Sequence, residues 1–166
     1  GPLWTPGGER GLYKTDDAGT KAFWKEFVGR VFEPWVGEMT DYDAFFEQLY
    51  EEFATRSAWL LFDDVLPTLD RLEEKGYRLA VISNWDTRLR SLLDGLGVAS
   101  RFEQIVISAE EGFEKPAPQI YERALAALDV RPEEVLHVGD SLEDDVEGAV
   151  AMGLRAAYLD RRDLGE

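Results

Sequence analysis

Val135-Leu-His-Val-Gly-Asp-Ser-Leu-Glu-Asp-Asp-Val-Glu-Gly-Ala149 runs from apolar residues through a glycine into three aspartates, Asp140, Asp144 and Asp145. Val135, Leu136 and Val138 have the character of a buried parallel strand. Gly139 permits a tight exit, and Val146, Ala149, Val150 and Met152 return at helical spacing. Acid groups therefore gather where a strand ends. In open parallel α/β sheets that rim takes the ligand, because the following helix turns its free amides toward the crevice. Carboxylates so close together repel one another. A hard divalent cation offsets the repulsion, and magnesium typically uses one or two carboxylates, with water and substrate phosphate completing its shell.

Helical and strand signals alternate from about residue 58 to the end. Val65, Leu66, Leu69 and Leu72 mark a helix closed by Gly76, and Leu89, Leu92, Leu93 and Leu96 mark another stopped by Gly97. Arg78–Ser83, Phe102–Ile107, Val135–Val138 and Arg155–Leu159 read as strands, with a Glu-rich loop over 108–116 and a helix through Ile120, Ala124 and Leu128. The pattern predicts an α/β fold, a Rossmann-like parallel sheet with crossover helices, over residues 58–166. Residues 20–57 differ. Phe23, Trp24, Phe27, Val28, Val31 and Phe32 predict one aromatic helix from Thr20 to Val36, and Phe45, Phe46, Leu49, Tyr50 and Phe53 predict a second over 41–54, with Thr40 as its N-cap. Residues 1–19, rich in glycine and turn formers, form a leading segment without periodicity.

Length and composition narrow the function. With 166 residues, 45% of them hydrophobic, the chain can bury a substantial core as one domain with a small insertion. Its formal charge of −16 argues against nucleic acid and against an anionic membrane surface as partners. There is no cysteine, which removes disulfides and thiol nucleophiles and agrees with a cytoplasmic setting. No apolar run approaches the ~18 residues of a membrane span. Oligomeric state and substrate identity leave no mark in the sequence.

The strand exit at Ser83-Asn84, then Lys115, then Asp140 and its neighbours bring a hydroxyl, a cation and carboxylates to one rim, a combination that suits a phosphoryl group. Singly, a serine at a strand end is a turn former and a lysine before Pro116 is a solvated loop charge. Their order and spacing give them a joint meaning. Val81-Ile-Ser-Asn84, Glu114-Lys-Pro-Ala-Pro118 and Val138-Gly-Asp-Ser-Leu-Glu-Asp-Asp145 closely resemble the second, third and fourth motifs of the haloacid dehalogenase-like hydrolases, over roughly residues 60–160. The resemblance implies phosphate binding by Ser83 with Asn84 beside it, charge stabilisation by Lys115, and Mg2+ binding by Asp140 supported by Asp145, with Asp144 as the alternate second acid. Residues 20–57 look like the small helical cap of that family. The Gly-Asp-Ser run resembles the metal-dependent phosphatases of the superfamily, which implies hydrolysis of a small phosphorylated metabolite. Metal-free carbon–halogen hydrolysis and a non-catalytic phosphate-binding or interaction protein are the alternatives.

Against the resemblance stands one departure. The family's first motif, an apolar strand ending in Asp-x-Asp that supplies the nucleophile and its acid–base partner, is not in this sequence. Asp41-Tyr-Asp43 follows no apolar strand and reads as the start of a helix, and Tyr158-Leu-Asp-Arg-Arg-Asp163 puts a positive charge where the second acid belongs. In the family that strand lies centrally, between the strands ending at Ser83 and Asp140. Without it they would stand about two strand spacings of ~4.8 Å apart, so the expectation is a preceding βα unit, or a strand lent by a second chain, and no hydrolysis by this chain alone. His137 reads as a satisfied structural histidine, Glu110, Glu111 and Glu114 as a solvated loop, and Trp85 as an aromatic divided between lining a substrate pocket and packing.

Overall fold

A computed structural model describes residues 17–37 and 39–161. The leading segment lies outside the described residues except for its last positions, which already belong to the first helix. α1 (Asp17–Val31) is followed by the short α2 (Glu33–Val36) and by α3 (Tyr42–Glu52). The single helix expected through Val36 breaks at Phe32, because Pro34 sits in the first turn of α2, where its missing N–H costs nothing. Asp41, not Thr40, caps α3: its backbone is extended and its side chain accepts from the Ala44 amide at 3.0 Å. Asp43, in the first turn, pairs with Lys25 at 2.9 Å, so Asp41-Tyr-Asp43 is the helix start that was expected. Edge-on ring contacts, Phe23–Trp24 and Trp24–Phe27 at 5.6 Å and Phe32–Phe45 at 5.2 Å, fill the space within this module, with Phe46 buried.

After α4 (Val65–Glu74) the remainder carries four strands among the described residues: β1 (Ala80–Ser83), β2 (Gln104–Ile107), β3 (Leu136–Gly139) and β4 (Arg155–Tyr158). β1 pairs in parallel with β2, Val81 opposite Ile105, and β3 in parallel with β4, His137 opposite Ala156. Among the described residues no strand pairing joins the two pairs. They share a core instead. Val106, Ile120, Tyr121, Ala124, Ala149 and Leu154 form one buried cluster with Ile82, Val135 and Ala156 against it, so α7 (Pro118–Leu128) and α8 (Gly148–Ala151) span both pairs. On the other face of the first pair, Leu89 and Leu92 of α5 (Arg88–Gly95) pack on Ile107 with Val81, Ile105, Trp59 and Trp85. This is the period-2 alternation of a strand buried on both sides.

β3 is not buried as its sequence suggests. Leu136 is 56% and Val138 54% exposed, while His137 and Gly139 turn toward the protein. A parallel strand is enclosed only when layers cover both its faces, and one face of β3 has no cover among the described residues. The Glu-rich loop is also partly helical: α6 (Ser108–Glu111) places Glu110 against Arg90 at 2.6 Å and Glu111 against Arg123 at 2.9 Å, so these two glutamates are ion-paired rather than merely solvated.

Candidate active site

Asn84, directly after β1, uses its whole side-chain amide on one residue. Its Nδ2 donates to the Lys115 carbonyl at 3.0 Å, and its Oδ1 accepts from the Lys115 amide at 2.7 Å. Lys115 is held as a strand neighbour would be, though 31 positions away in sequence. From there its ammonium reaches Asp145 Oδ1 at 2.6 Å. The Lys115–Pro116 bond is cis.

Asp145 is brought to that position by the turn that follows β3. Leu142–Glu147 is a π-helical segment in which the Ser141 carbonyl accepts from both Asp145 and Val146, at 3.0 and 3.2 Å. Its Asp145 side chain folds back over Gly139, where a Cβ would lie 2.1 Å from the Asp145 Cγ, so no other residue fits there. The carboxylate is 4% exposed and fully engaged. His137 Nε2 lies 3.0 Å from Oδ1, and the Ser141 amide donates to Oδ2 at 3.0 Å. Burial pushes its pKa up, but the hydrogen bonds of His137 and Lys115 and the lysine's charge outweigh burial and hold it well below the usual carboxylate range. His137 also meets Tyr121 edge-on, at 5.6 Å between centroids.

Asp144, next along, faces differently. Its amide donates to Ser141 Oγ at 3.1 Å and its carbonyl accepts from the Tyr121 hydroxyl. Burial, together with the charges of Asp145 and Glu143, raises the Asp144 carboxyl, and burial raises the Tyr121 hydroxyl as well. Asp140 is exposed and makes no hydrogen bond or ion pair among the described residues. Ser83 ends β1 opposite Ile107, half-buried, its hydroxyl likewise without a partner among the described residues.

The structure therefore joins Asn84, Lys115 and Asp145 directly, and leaves Ser83, which precedes Asn84, and Asp140, which precedes the Ser141 amide that holds Asp145, without side-chain partners among the described residues. The three aspartates do not converge: among the described residues no group of three or more acidic or histidine side chains is arranged to hold a metal ion. Trp85 is half-buried and packs against Trp59. Its ring lies 5.1 Å from Trp59, and its amide and carbonyl are both tied to Ser108 Oγ, at 3.0 and 3.1 Å. His137, read from the sequence as structural, belongs to the bonded set. The signal for it is the strand period, which puts His137 and Gly139 on the face that Asp145 covers.

A scan against family models matches residues 10–153 to "haloacid dehalogenase-like hydrolase". The chain belongs to the haloacid dehalogenase-like hydrolases. A curated relative, haloacid dehalogenase-like hydrolase domain-containing protein 3 of Bos taurus, is 37% identical over 66% of this chain and 44% of its own length. Glyceraldehyde 3-phosphate phosphatase of Methanopyrus kandleri is 38% identical over 64% of this chain and 47% of its own. The chain thus spans about half the length of these curated relatives. Among solved structures, a HAD phosphatase from Thermococcus onnurineus superposes with a TM-score of 0.67 and 29% identity, over 85% of this chain and 70% of its own. The parallel α/β architecture of this haloacid dehalogenase-like chain is that of its structural neighbours. No helix among its described residues is long and apolar enough to cross a membrane.

Proposed function

We propose that this chain supplies the phosphate-binding rim of a phosphatase that hydrolyses small phosphorylated metabolites. The observation that carries the reading is the fixing of Lys115 by Asn84 behind it and Asp145 beside it. An ammonium has three donors, and one is spent on Asp145. The other two remain for the equatorial oxygens of a phosphoryl group, and the Ser83 hydroxyl lies next to Asn84 to donate a further bond. Asp145 and His137 act through Lys115, holding its charge in place before substrate arrives. The phosphatase named among the relatives and the phosphatase among the solved structures support the choice of ester.

Asp140 and Asp145 outnumber Lys115, so an incoming dianion meets a rim with an excess of negative charge. The exposed, unpaired Asp140 fits a magnesium ion that takes one or two carboxylates, and such an ion would supply positive charge against the phosphoryl oxygens when bound. Asp145, with both oxygens engaged, positions the lysine instead of completing a ligand pair. The nucleophile comes from outside the described residues. A βα unit with its strand between β1 and β3 and an aspartate at the strand's end would join the two strand pairs, lay its helix toward Leu136 and Val138, and deliver a carboxylate beside Lys115 for an aspartyl-phosphate intermediate. Residues 20–57 serve as the cap over this rim and residues 58–166 as the core.

The test uses the full-length protein with a general phosphate ester, with and without magnesium. Lys115→Ala and Asp140→Asn should each lower kcat/KM by about 10²-fold or more, the scale of removing a positioned charge from a reacting centre. Turnover untouched by either change refutes the assignment.

A further inference from the structure

Two residues beyond Asn84 the chain buries a carboxylate, Asp86, to 1% exposure and turns it onto Arg88. Arg88 Nε donates to Oδ1 at 2.8 Å and Nη2 to Oδ2 at 2.6 Å, a two-pronged pair reinforced by the Arg88 amide at 3.1 Å. The remaining arm leaves the turn. Nη1 donates to the Tyr50 carbonyl at 2.7 Å, and the guanidinium carbon lies 3.6 Å from the centre of the Tyr50 ring.

Tyr50 is in the last turn of α3, where carbonyls lack intrahelical donors and the helix end carries partial negative charge. The amides of Phe53, Ala54 and Thr55 go to Leu49, Glu51 and Glu52, and among these carbonyls that of Tyr50 accepts from Arg88. A second joint runs beside the first. Trp59 Nε1 donates to the Phe53 carbonyl at 2.9 Å, and its ring meets Phe53 at 5.9 Å and Trp85 at 5.1 Å, both edge-on. Both joints tie the end of α3 to the turn 84–88, the same turn whose first residue holds Lys115.

We propose that Asp86 and Arg88 are a positioning pair that fixes the helical module over the phosphate rim, so that recognition of the substrate's non-phosphate part depends on them. Arg88 presents a rigid fork with a third donor, which a lysine cannot reproduce. The catalytic arm of the test rests on the phosphatase reading; the structural arm does not.

Arg88→Ala would strand a buried carboxylate, so the informative variants in the full-length protein are Arg88→Lys and the paired Asp86→Asn/Arg88→Met, which removes both charges. Amide exchange at residues 50–55 should quicken about tenfold or more in both, the scale of losing one charge-assisted bond, while β1 and β2 exchange as before. For glyceraldehyde 3-phosphate, KM should rise about tenfold with kcat changed less than about threefold, and inhibition by inorganic phosphate should stay as in the wild type. Unchanged exchange at 50–55 overturns the proposal, as does an unchanged KM or a matching loss of phosphate inhibition. Should the wild-type protein neither hydrolyse the ester nor bind phosphate, the phosphatase reading fails and the exchange measurement still decides the positioning role.

Discussion

Gly139→Ala tests whether the rim is assembled as described, because the added methyl group meets a single obstacle. It would lie 2.1 Å from the Asp145 Cγ and 2.2 Å from Oδ2, where ordinary contact begins at 3.4 Å, so the carboxylate has to retreat by about 1 Å or more. The backbone of Gly139 is not left-handed, and the cost therefore comes from displacing Asp145, whose Cβ, 2.6 Å from the added methyl, moves only with its own backbone. A shift of that size breaks the 2.6 Å bond to Lys115 and the 3.0 Å contacts to His137 and the Ser141 amide. Removing one side of a buried ion pair costs about 3–5 kcal/mol, and crowding a packed site about 1–3 kcal/mol. Partial relaxation shares these terms, so a total of about 3–5 kcal/mol is expected. In urea, with a slope of about 2 kcal/mol/M, the midpoint should fall by roughly 1.5–2.5 M. The decisive control is the same substitution in an Asp145→Gly background, where Cγ, Oδ2 and the Cβ at 2.6 Å are all removed and the methyl should cost less than about 1 kcal/mol, giving a coupling of at least about 2 kcal/mol. A cost below about 1 kcal/mol in the wild-type background, or equal costs in the two backgrounds, refutes the claim that Gly139 exists to admit Asp145.

Further outcomes follow from the same contacts. Tyr121→Phe removes the hydroxyl that donates to the Asp144 carbonyl, and the abandoned buried acceptor should lower stability by about 1–3 kcal/mol in chemical denaturation; a loss under about 0.5 kcal/mol would show that the bond contributes nothing. Because its folded-state pKa is depressed, Asp145 contributes stability that is complete above the unfolded-state value of about 3.9 and is lost as pH falls from there through the folded-state value. The stability gap between wild type and Asp145→Asn should therefore narrow as pH drops from about 5 to about 2, and a gap independent of pH would contradict the depressed pKa.

The order of Asn84, Lys115 and Asp145 in the sequence located the bonded set, because each lies in the segment that follows a parallel strand, and parallel strands deliver their ends to one rim. What each aspartate does was not legible. Helical spacing cannot distinguish Asp144 from Asp145, since the π turn at Leu142–Glu147 adds a residue per turn and moves Asp145 under Gly139. His137 looked isolated because the carboxylate it meets lies across that turn rather than on the strand. Leu136 and Val138 read as core from their apolarity, but burial of a strand is a property of the layers around it, and the sequence of one strand does not carry those. The N-cap of α3 shifted by one residue because Thr40 and Asp41 are both good caps, and only the extended backbone at Asp41 decides between them.

The bridge from Asn84 through Lys115 to Asp145 also has a mechanical meaning. β1 and β3 exchange no ladder bonds, so at the rim their separation is gauged by the length of one lysine side chain. That stay braces the two strand pairs at their carboxyl ends and leaves the opposite ends to the packing of α7 and α8. A ligand that drew the ammonium away from Asp145 would slacken the brace, so occupancy of the rim and the spacing of the two halves of the sheet are settled by the same hydrogen bond.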